Sequence, residues 1–147
     1  MVQYSTCPSP FGNISIGWEE DAVVSLKLGA PDSHSPSPVT ELAAVQLQEY
    51  FAQTRKSFTF PIESRGTPFQ ISVWEALTKI PYGETRTYGD IARAIGNQKA
   101  VRAVGMACNR NPIWIAIPCH RVIGSNQKLT GYAGGLSMKD ALLNLER

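Results

Sequence analysis

The hydrophobic pattern of this chain changes its period near Thr67, and that change limits the fold more than any other feature. Early in the chain, apolar residues recur at every second position. Ile14, Ile16 and Trp18 alternate with Ser15 and Gly17, and Val24, Leu26 and Leu28 alternate with Ser25 and Lys27. A period of two marks a half-buried strand, because successive side chains leave a strand on opposite faces. The stretch Asp32-Ser33-His34-Ser35-Pro36-Ser37-Pro38 has the composition of a turn and loop. A helix is expected beyond it, with Leu42, Val45, Leu47 and Tyr50 toward one side.

From Thr67 onward the spacing is helical. The Thr67 hydroxyl can cap a first turn, and Pro68 is tolerated at the first helical position. Val73, Trp74, Leu77 and Ile80 mark the apolar face, and Pro81-Tyr82-Gly83 ends the helix. Two short helices are expected next. One is capped by Thr87 and runs through Ile91 and Ile95 to Gly96; the other starts near Gln98 and ends about Cys108, before Asn109-Arg110-Asn111-Pro112. Joined around Gly96-Asn97, they read as a helix-turn-helix.

On the second of these helices, Ala100, Val101, Ala103, Val104, Ala107 and Cys108 fall on one broad side. Arg102 lies opposite, with Gln98, Lys99 and Met106 spread around it. Gly105 also falls toward the outer side, where it costs about 1 kcal/mol of helix stability relative to alanine. A glycine there suits close approach of a partner to the helix backbone. By itself, Arg102 reads more readily as a solvated surface charge. The fold class is α+β. A small strand-rich N-terminal region spans residues 1–62, and a mainly helical, winged-helix-like C-terminal domain with the helix-turn-helix spans residues 63–147.

A chain of 147 residues that is 43% hydrophobic can build a real core. Its net charge of +2 is too small to identify a nucleic-acid partner, so any such contact must come from the placement of basic residues. No apolar run approaches the roughly 18 residues that span a bilayer, and no secretory signal opens the sequence. Cys7, Cys108 and Cys119 are odd in number and far apart, which argues against a disulfide framework and for a reducing, cytoplasmic setting. With only His34 and His120 to join them, the about four closely spaced ligands of a zinc centre are missing, a Cys7–His34 pairing aside, and no metal is expected.

Ile113-Trp114-Ile115-Ala116-Ile117 reads as a buried strand with Trp114 on the face opposite Ile113, Ile115 and Ile117. Pro118 cannot continue a central strand, so Cys119 sits where the chain turns out of the sheet. His120 and Arg121 follow it, an electropositive setting that should favour the thiolate. The residue types alone leave two readings, a reactive nucleophile or an inert buried thiol beside a surface His-Arg pair.

Ile117-Pro118-Cys119-His120-Arg121-Val122 resembles the active-site signature of the O6-alkylguanine-DNA alkyltransferases, also called methylated-DNA–protein-cysteine methyltransferases. Arg102-Ala103-Val104-Gly105 resembles their recognition helix, and Asn111-Pro112 precedes the active-site segment as in the family. Thr130-Gly131-Tyr132-Ala133-Gly134-Gly135 resembles the substrate loop, and Leu142-Leu143-Asn144-Leu145-Glu146 the closing helix. The likeness covers residues 67–147 in the family's order, while the N-terminal part shares only size and strand content.

The resemblance implies that Cys119 accepts the alkyl group, that His120 draws off the thiol proton through a water, and that Glu146 orients His120. It implies that Asn111 braces the site and that Tyr88 gives a hydrogen bond to the departing guanine. Arg102 would fill the gap left by a flipped nucleotide, with Lys99, Ala103 and Gly105 beside it on a helix seated in the minor groove. Tyr132 would wall the pocket, the backbone N–H of Ala133 would face O6, and the carbonyls of Cys119 and Val122 would read the exocyclic amine. Gly134 would keep the loop open. Many relatives have serine where this chain has Ala133. Trp114 stands where relatives often have a small residue, which implies a narrower pocket. The implied partner is double-stranded DNA carrying O6-alkylguanine, bound by a monomer. No cofactor is implied, and each molecule would act once. Three other classes remain as contrasts: a damage sensor, which would lack the acceptor cysteine; a helix-turn-helix regulator; and a cysteine hydrolase.

Overall fold

The computed structural model describes residues 1–147. They divide into two compact units. One comprises Met1–Arg65 with Pro112–Trp114, and the other Gly66–Asn111 with Ile115–Arg147. No helix is long and apolar enough to cross a membrane.

The first unit is built on an antiparallel sheet of three strands in sequence order, β1 (Gln3–Cys7), β2 (Ile14–Glu19) and β3 (Ala22–Leu28). The alternating segments are strands, as their period requires, but the central one is covered on both faces. Ile14 and Ile16 are buried, and so is Ser15 between them. Gly17 sits where a β-carbon would lie 2.9 Å from that of Ser25, so only glycine lets these strands approach, and the register shifts just after it.

A helix, α1 (Pro38–Phe51), follows the loop. Ser37 caps it in a reciprocal arrangement with Thr40. Its buried face differs from the one expected. Val39, Ala43, Leu47 and Tyr50 point inward with Gln46, whereas Leu42 and Val45 are exposed. The inward stripe starts at Val39, one turn earlier than the apolar spacing was counted from. Gln46 pays its way inside by donating to the Thr59 hydroxyl (2.6 Å) and accepting from the Thr59 N–H (2.8 Å). Residues 112–114 run parallel beside β3. The Leu26 N–H donates to the Pro112 carbonyl (2.8 Å), and the Trp114 N–H donates to the Leu26 carbonyl (2.9 Å).

The second unit opens with α2 (Pro68–Leu77), capped by Thr67 with Gln70 reciprocating. Val73, Trp74 and Leu77 are buried as expected, and the Trp74 indole donates to the Ala107 carbonyl (2.8 Å). Two residues of β4 (Arg86–Thr87) pair in parallel with β5 (Val122–Ile123). Between them in sequence lie α3 (Tyr88–Ala94), capped by Thr87, and α4 (Val101–Asn109); α5 (Leu136–Leu145) closes the chain. Gly96, at φ +77°, makes the turn between α3 and α4.

Helix α4 differs from its sequence reading in two ways. It starts at Val101, after a separate turn in which the Ala100 N–H meets the Asn97 carbonyl (3.1 Å). Only Val104, Ala107 and Cys108 are buried, while Val101 and Ala103 face outward beside Arg102. Alanine is compatible with either face, so a run rich in it carries little orientation signal.

Ile113–Ile117 is not a continuous strand. Isolated pairings at its ends flank a turn, and Ile115 takes φ +73° there. A β-branched residue is strained in that region. Its side chain is nevertheless buried, as are Ile113 and Ile117, while Trp114 is half-buried. The alternation therefore recorded burial correctly but not backbone conformation.

Candidate active site

After the turn at Ile115, Pro118 leads into a single 3-10 turn, Cys119–Arg121, and then into β5. This turn places three consecutive functional side chains in the interior. Cys119, His120 and Arg121 are all buried. Asn111 follows the end of α4 and is buried against the same turn. Its amide donates to the Ile117 carbonyl (2.8 Å) and to Cys119 Sγ (3.2 Å). The side chain thus ties the C-terminal end of α4 to the segment carrying the cysteine.

His120 is fully buried and bonds through Nε2 to Glu146 Oε2 at 2.7 Å. Glu146 is the C-cap of α5, and Arg121 grips its carboxylate at both oxygens, Nε to Oε1 at 2.8 Å and Nη2 to Oε2 at 3.0 Å. The third arm of the guanidinium, Nη1, donates to the Ile80 carbonyl (2.7 Å). Two further contacts hold the end of α5. The Tyr82 hydroxyl donates to the Leu145 carbonyl (3.3 Å), and at Gly83 a β-carbon would come within 3.2 Å of the Glu146 carbonyl.

A carboxylate that accepts two guanidinium N–H bonds is ionised, so the hydrogen on the His120–Glu146 bond belongs to Nε2. The neutral imidazole then carries its lone pair at Nδ1. That atom is buried and has no hydrogen-bond partner within the chain. Burial holds His120 below its ordinary range, Glu146 pulls the other way, and Arg121 and Lys139 add to the lowering.

The thiol differs from its sequence reading. Burial pushes Cys119 up to about 11, and the Asn111 bond and the charge of Lys139 offset only part of this. The expected thiolate gives way to a resting thiol that needs a base. Arg121 explains the discrepancy. Its charge is turned onto Glu146 and away from the sulfur, so adjacency in sequence does not make the thiol's surroundings electropositive.

Lys139 was missed altogether. It lies on the inward face of α5, with no exposed surface, and donates to the carbonyls of Val122, Thr130 (2.6 Å) and Gly131 (3.4 Å). Burial lowers its affinity for its proton, while Cys119 and Cys108 raise it. A signal was available: Lys139 stands at helical spacing from Leu142 and Leu143, on the side of α5 that an apolar residue would occupy. The Val122 carbonyl, expected to face the guanine amine, is engaged by this ammonium, which leaves it one lone pair for a second donor.

The remaining candidates fall into two groups. Tyr88 is half-buried at the start of α3. Its hydroxyl donates to the Thr130 carbonyl (3.3 Å) and accepts from the Thr130 hydroxyl (3.1 Å). Burial raises the Tyr88 phenol, and that of Tyr132 more strongly. Ala133 is exposed and Gly134 half-buried in the turn before α5. On α4, Arg102 and Ala103 are exposed, as is Lys99 in the preceding turn. Gly105 does not face outward as expected. It is half-buried toward the Tyr88 ring, and a β-carbon there would meet that ring at 3.9 Å, an ordinary contact. Trp114 belongs to the first unit. No group of three or more His, Cys, Asp or Glu side chains is placed to hold a metal ion.

Two family models match the chain. "6-O-methylguanine DNA methyltransferase, DNA binding domain" covers residues 68–147, and "6-O-methylguanine DNA methyltransferase, ribonuclease-like domain" covers residues 2–64. The constitutive methylated-DNA–protein-cysteine methyltransferase of Bacillus subtilis is 49% identical, across 100% of this chain and 96% of that protein. The protein of that name from Methanosarcina barkeri is 62% identical, across 99% and 97%. A crystal structure of Mycobacterium tuberculosis OGT in complex with DNA superposes with a TM-score of 0.89 at 45% identity, covering 97% of this chain and 92% of that one.

Proposed function

The chain belongs to the 6-O-methylguanine DNA methyltransferase family and repairs DNA by alkyl transfer, and we propose that Cys119 is the acceptor and O6-alkylguanine in duplex DNA the donor. The observation that carries this reading is the buried relay from Arg121 through Glu146 to His120, which ends at a bare Nδ1 beside the residue bearing the thiol. A thiol raised to about 11 is nearly all protonated at neutral pH. The base is therefore required, and the relay supplies one that is neutral and oriented.

In the reaction, the Cys119 proton passes to His120 Nδ1, through a water. The sulfur attacks the alkyl carbon, an S–C bond forms, and the C–O6 bond breaks with its electron pair going to guanine. The Tyr88 hydroxyl, released from Thr130, donates a hydrogen bond to the base as that charge develops. The Ala133 N–H faces O6, and Tyr132, Val122 and Gly134 shape the pocket. The product thioether has no step back to the thiol, so each molecule acts once. Asn111 holds the cysteine turn in register with α4.

Helix α4 enters the minor groove as a monomer's recognition element. Arg102 occupies the gap left by the extruded nucleotide, since its side chain is exposed between the small or open positions Val101 and Ala103. Lys99 contacts the phosphate backbone, and Gly105 leaves room beside Tyr88. The second unit carries the chemistry.

The test is mass spectrometry after incubation with duplex DNA containing O6-methylguanine. A single gain of about 14 Da on the peptide containing Cys119 is expected, one per molecule. Cys119→Ser should bind the DNA and gain no mass. Label on Cys7 or Cys108, or repeated turnover, would refute the assignment.

A further inference from the structure

Arg121 takes no part in the steps above, yet every nitrogen of its guanidinium is hydrogen-bonded. It makes two bonds to Glu146 and one to the Ile80 carbonyl, and its guanidinium lies 5.8 Å from the centre of the Tyr82 ring. A buried arginine is costly, and the carbonyl bond and ring contact alone would anchor the turn without a carboxylate. The pairing with Glu146 calls for its own reason.

Charge counting supplies it. Glu146 meets two partners, His120 and Arg121, in an interior that disfavours net charge. With Arg121 present, one cation and one anion already balance, and His120 completes the group as a neutral ring. Without Arg121 the same carboxylate would be unbalanced, and the His120–Glu146 pair would take up a proton. It makes no difference where on the 2.7 Å bond that proton sits, because such a pair titrates as a unit. A relay that already holds the extra proton cannot accept another from the thiol.

We propose that Arg121 is a positioning residue that balances the Glu146 carboxylate and so keeps the His120–Glu146 pair free of an added proton at neutral pH. This rests on the reading of His120 as the base. The other groups facing the pair support it. Lys139 on α5 is a second cation that disfavours protonation of His120, and Cys119 is a neutral thiol at rest. Tyr82, after α2, and Tyr132, before α5, are phenols whose ionisation is disfavoured by burial and by the Glu146 charge. Arg121 is the cation seated on both carboxylate oxygens. Glycine at position 83 and the Tyr82 bond position the end of α5, so placement of Glu146 does not depend on Arg121 alone.

The experiment measures single-turnover methyl transfer against pH for the native chain, Arg121→Met, Arg121→Lys and His120→Gln, with folding followed by circular dichroism. The native rate should be flat down to about pH 6. Arg121→Met should move the acid limb up by about two to three units, so that its rate near pH 7 falls about tenfold and recovers at higher pH. Arg121→Lys should restore most of the native profile. A loss by the same factor at every pH, or an unmoved limb, would show that Arg121 is only structural and overturn the proposal. Nitrogen NMR of the His120 ring in the native chain decides the matter even where Arg121→Met does not fold. A neutral ring at pH about 7 is expected, and an imidazolium there would refute the proposal. Native transfer by His120→Gln would instead refute the base assignment itself, a different failure.

Discussion

In the first unit the buried polar side chains are Ser5, Ser15, Thr40 and Gln46, all uncharged; in the second they are Asn111, His120, Arg121, Lys139 and Glu146. The first unit thus solves burial cheaply. Its polar groups are neutral, and pairs such as Gln46 with Thr59 satisfy one another. The second buries two cations and an anion, which a unit built for stability alone would replace with apolar packing. The contrast locates the chemistry. Ionisable groups are held out of water where their charges must act on one another, and the low dielectric that makes them costly also makes them effective.

The largest effect should follow from breaking the relay. Glu146→Gln leaves Arg121 buried without its carboxylate, which should cost about 3–5 kcal/mol of stability. It also removes the group that orients His120, so transfer should slow by about 10²–10⁴-fold, read by single-turnover kinetics on the folded fraction. A variant as stable and as fast as the native chain would erase the distinction between the units.

A smaller and purely thermodynamic effect is expected in the first unit. Leu47 is fully buried in α1, and Leu47→Ala should cost about 2–5 kcal/mol in denaturant melts. Its transfer rate, measured well below the melting temperature, should stay within about twofold of native. A loss of rate matching that of Glu146→Gln would mean that the first unit takes part in the chemistry.

The smallest effect is alkaline and sharpens the comparison cysteine by cysteine. Burial raises all three thiols, Cys7 in the first unit and, in the second, Cys119 to about 11 and Cys108 to about 12. A group whose folded value is raised gives stability that is fully present below its unfolded value, ordinarily 9.0, and lost as pH rises toward the folded one. Stability should therefore fall above pH about 9, with each fully shifted group adding up to about 1.4 kcal/mol per pH unit. Cys119→Ser and Cys108→Ala should flatten that slope more than Cys7→Ala does. Equal flattening by all three would mean that the units bury their thiols alike.

Much of the site was legible as a linear pattern. Cys119 and His120 stand in one short motif, and Glu146 follows from the likeness of the closing helix. What could not be read was direction. Arg121 is adjacent to His120 and was credited with activating the thiol, yet it turns to a carboxylate 25 positions along the chain. Lys139 went unread because burial of an ammonium becomes visible only when the three carbonyls around it are in place.

The sequence by itself determined what depends on a few neighbouring residues. Thr67 and Thr87 cap their helices because hydroxyl and amide lie three positions apart, and Gly96 ends α3 because its φ is open to glycine without strain. The alternation of apolar residues marked the strands β2 and β3 for the same local reason. Only the tertiary structure decided which face of α1 turns inward, how Ile115 is bent into a turn, and that the resting Cys119 is a thiol. Those outcomes depend on what lies on the far side of each residue. Burial and the pairing of charges are set by segments distant in sequence, and no local spacing encodes them.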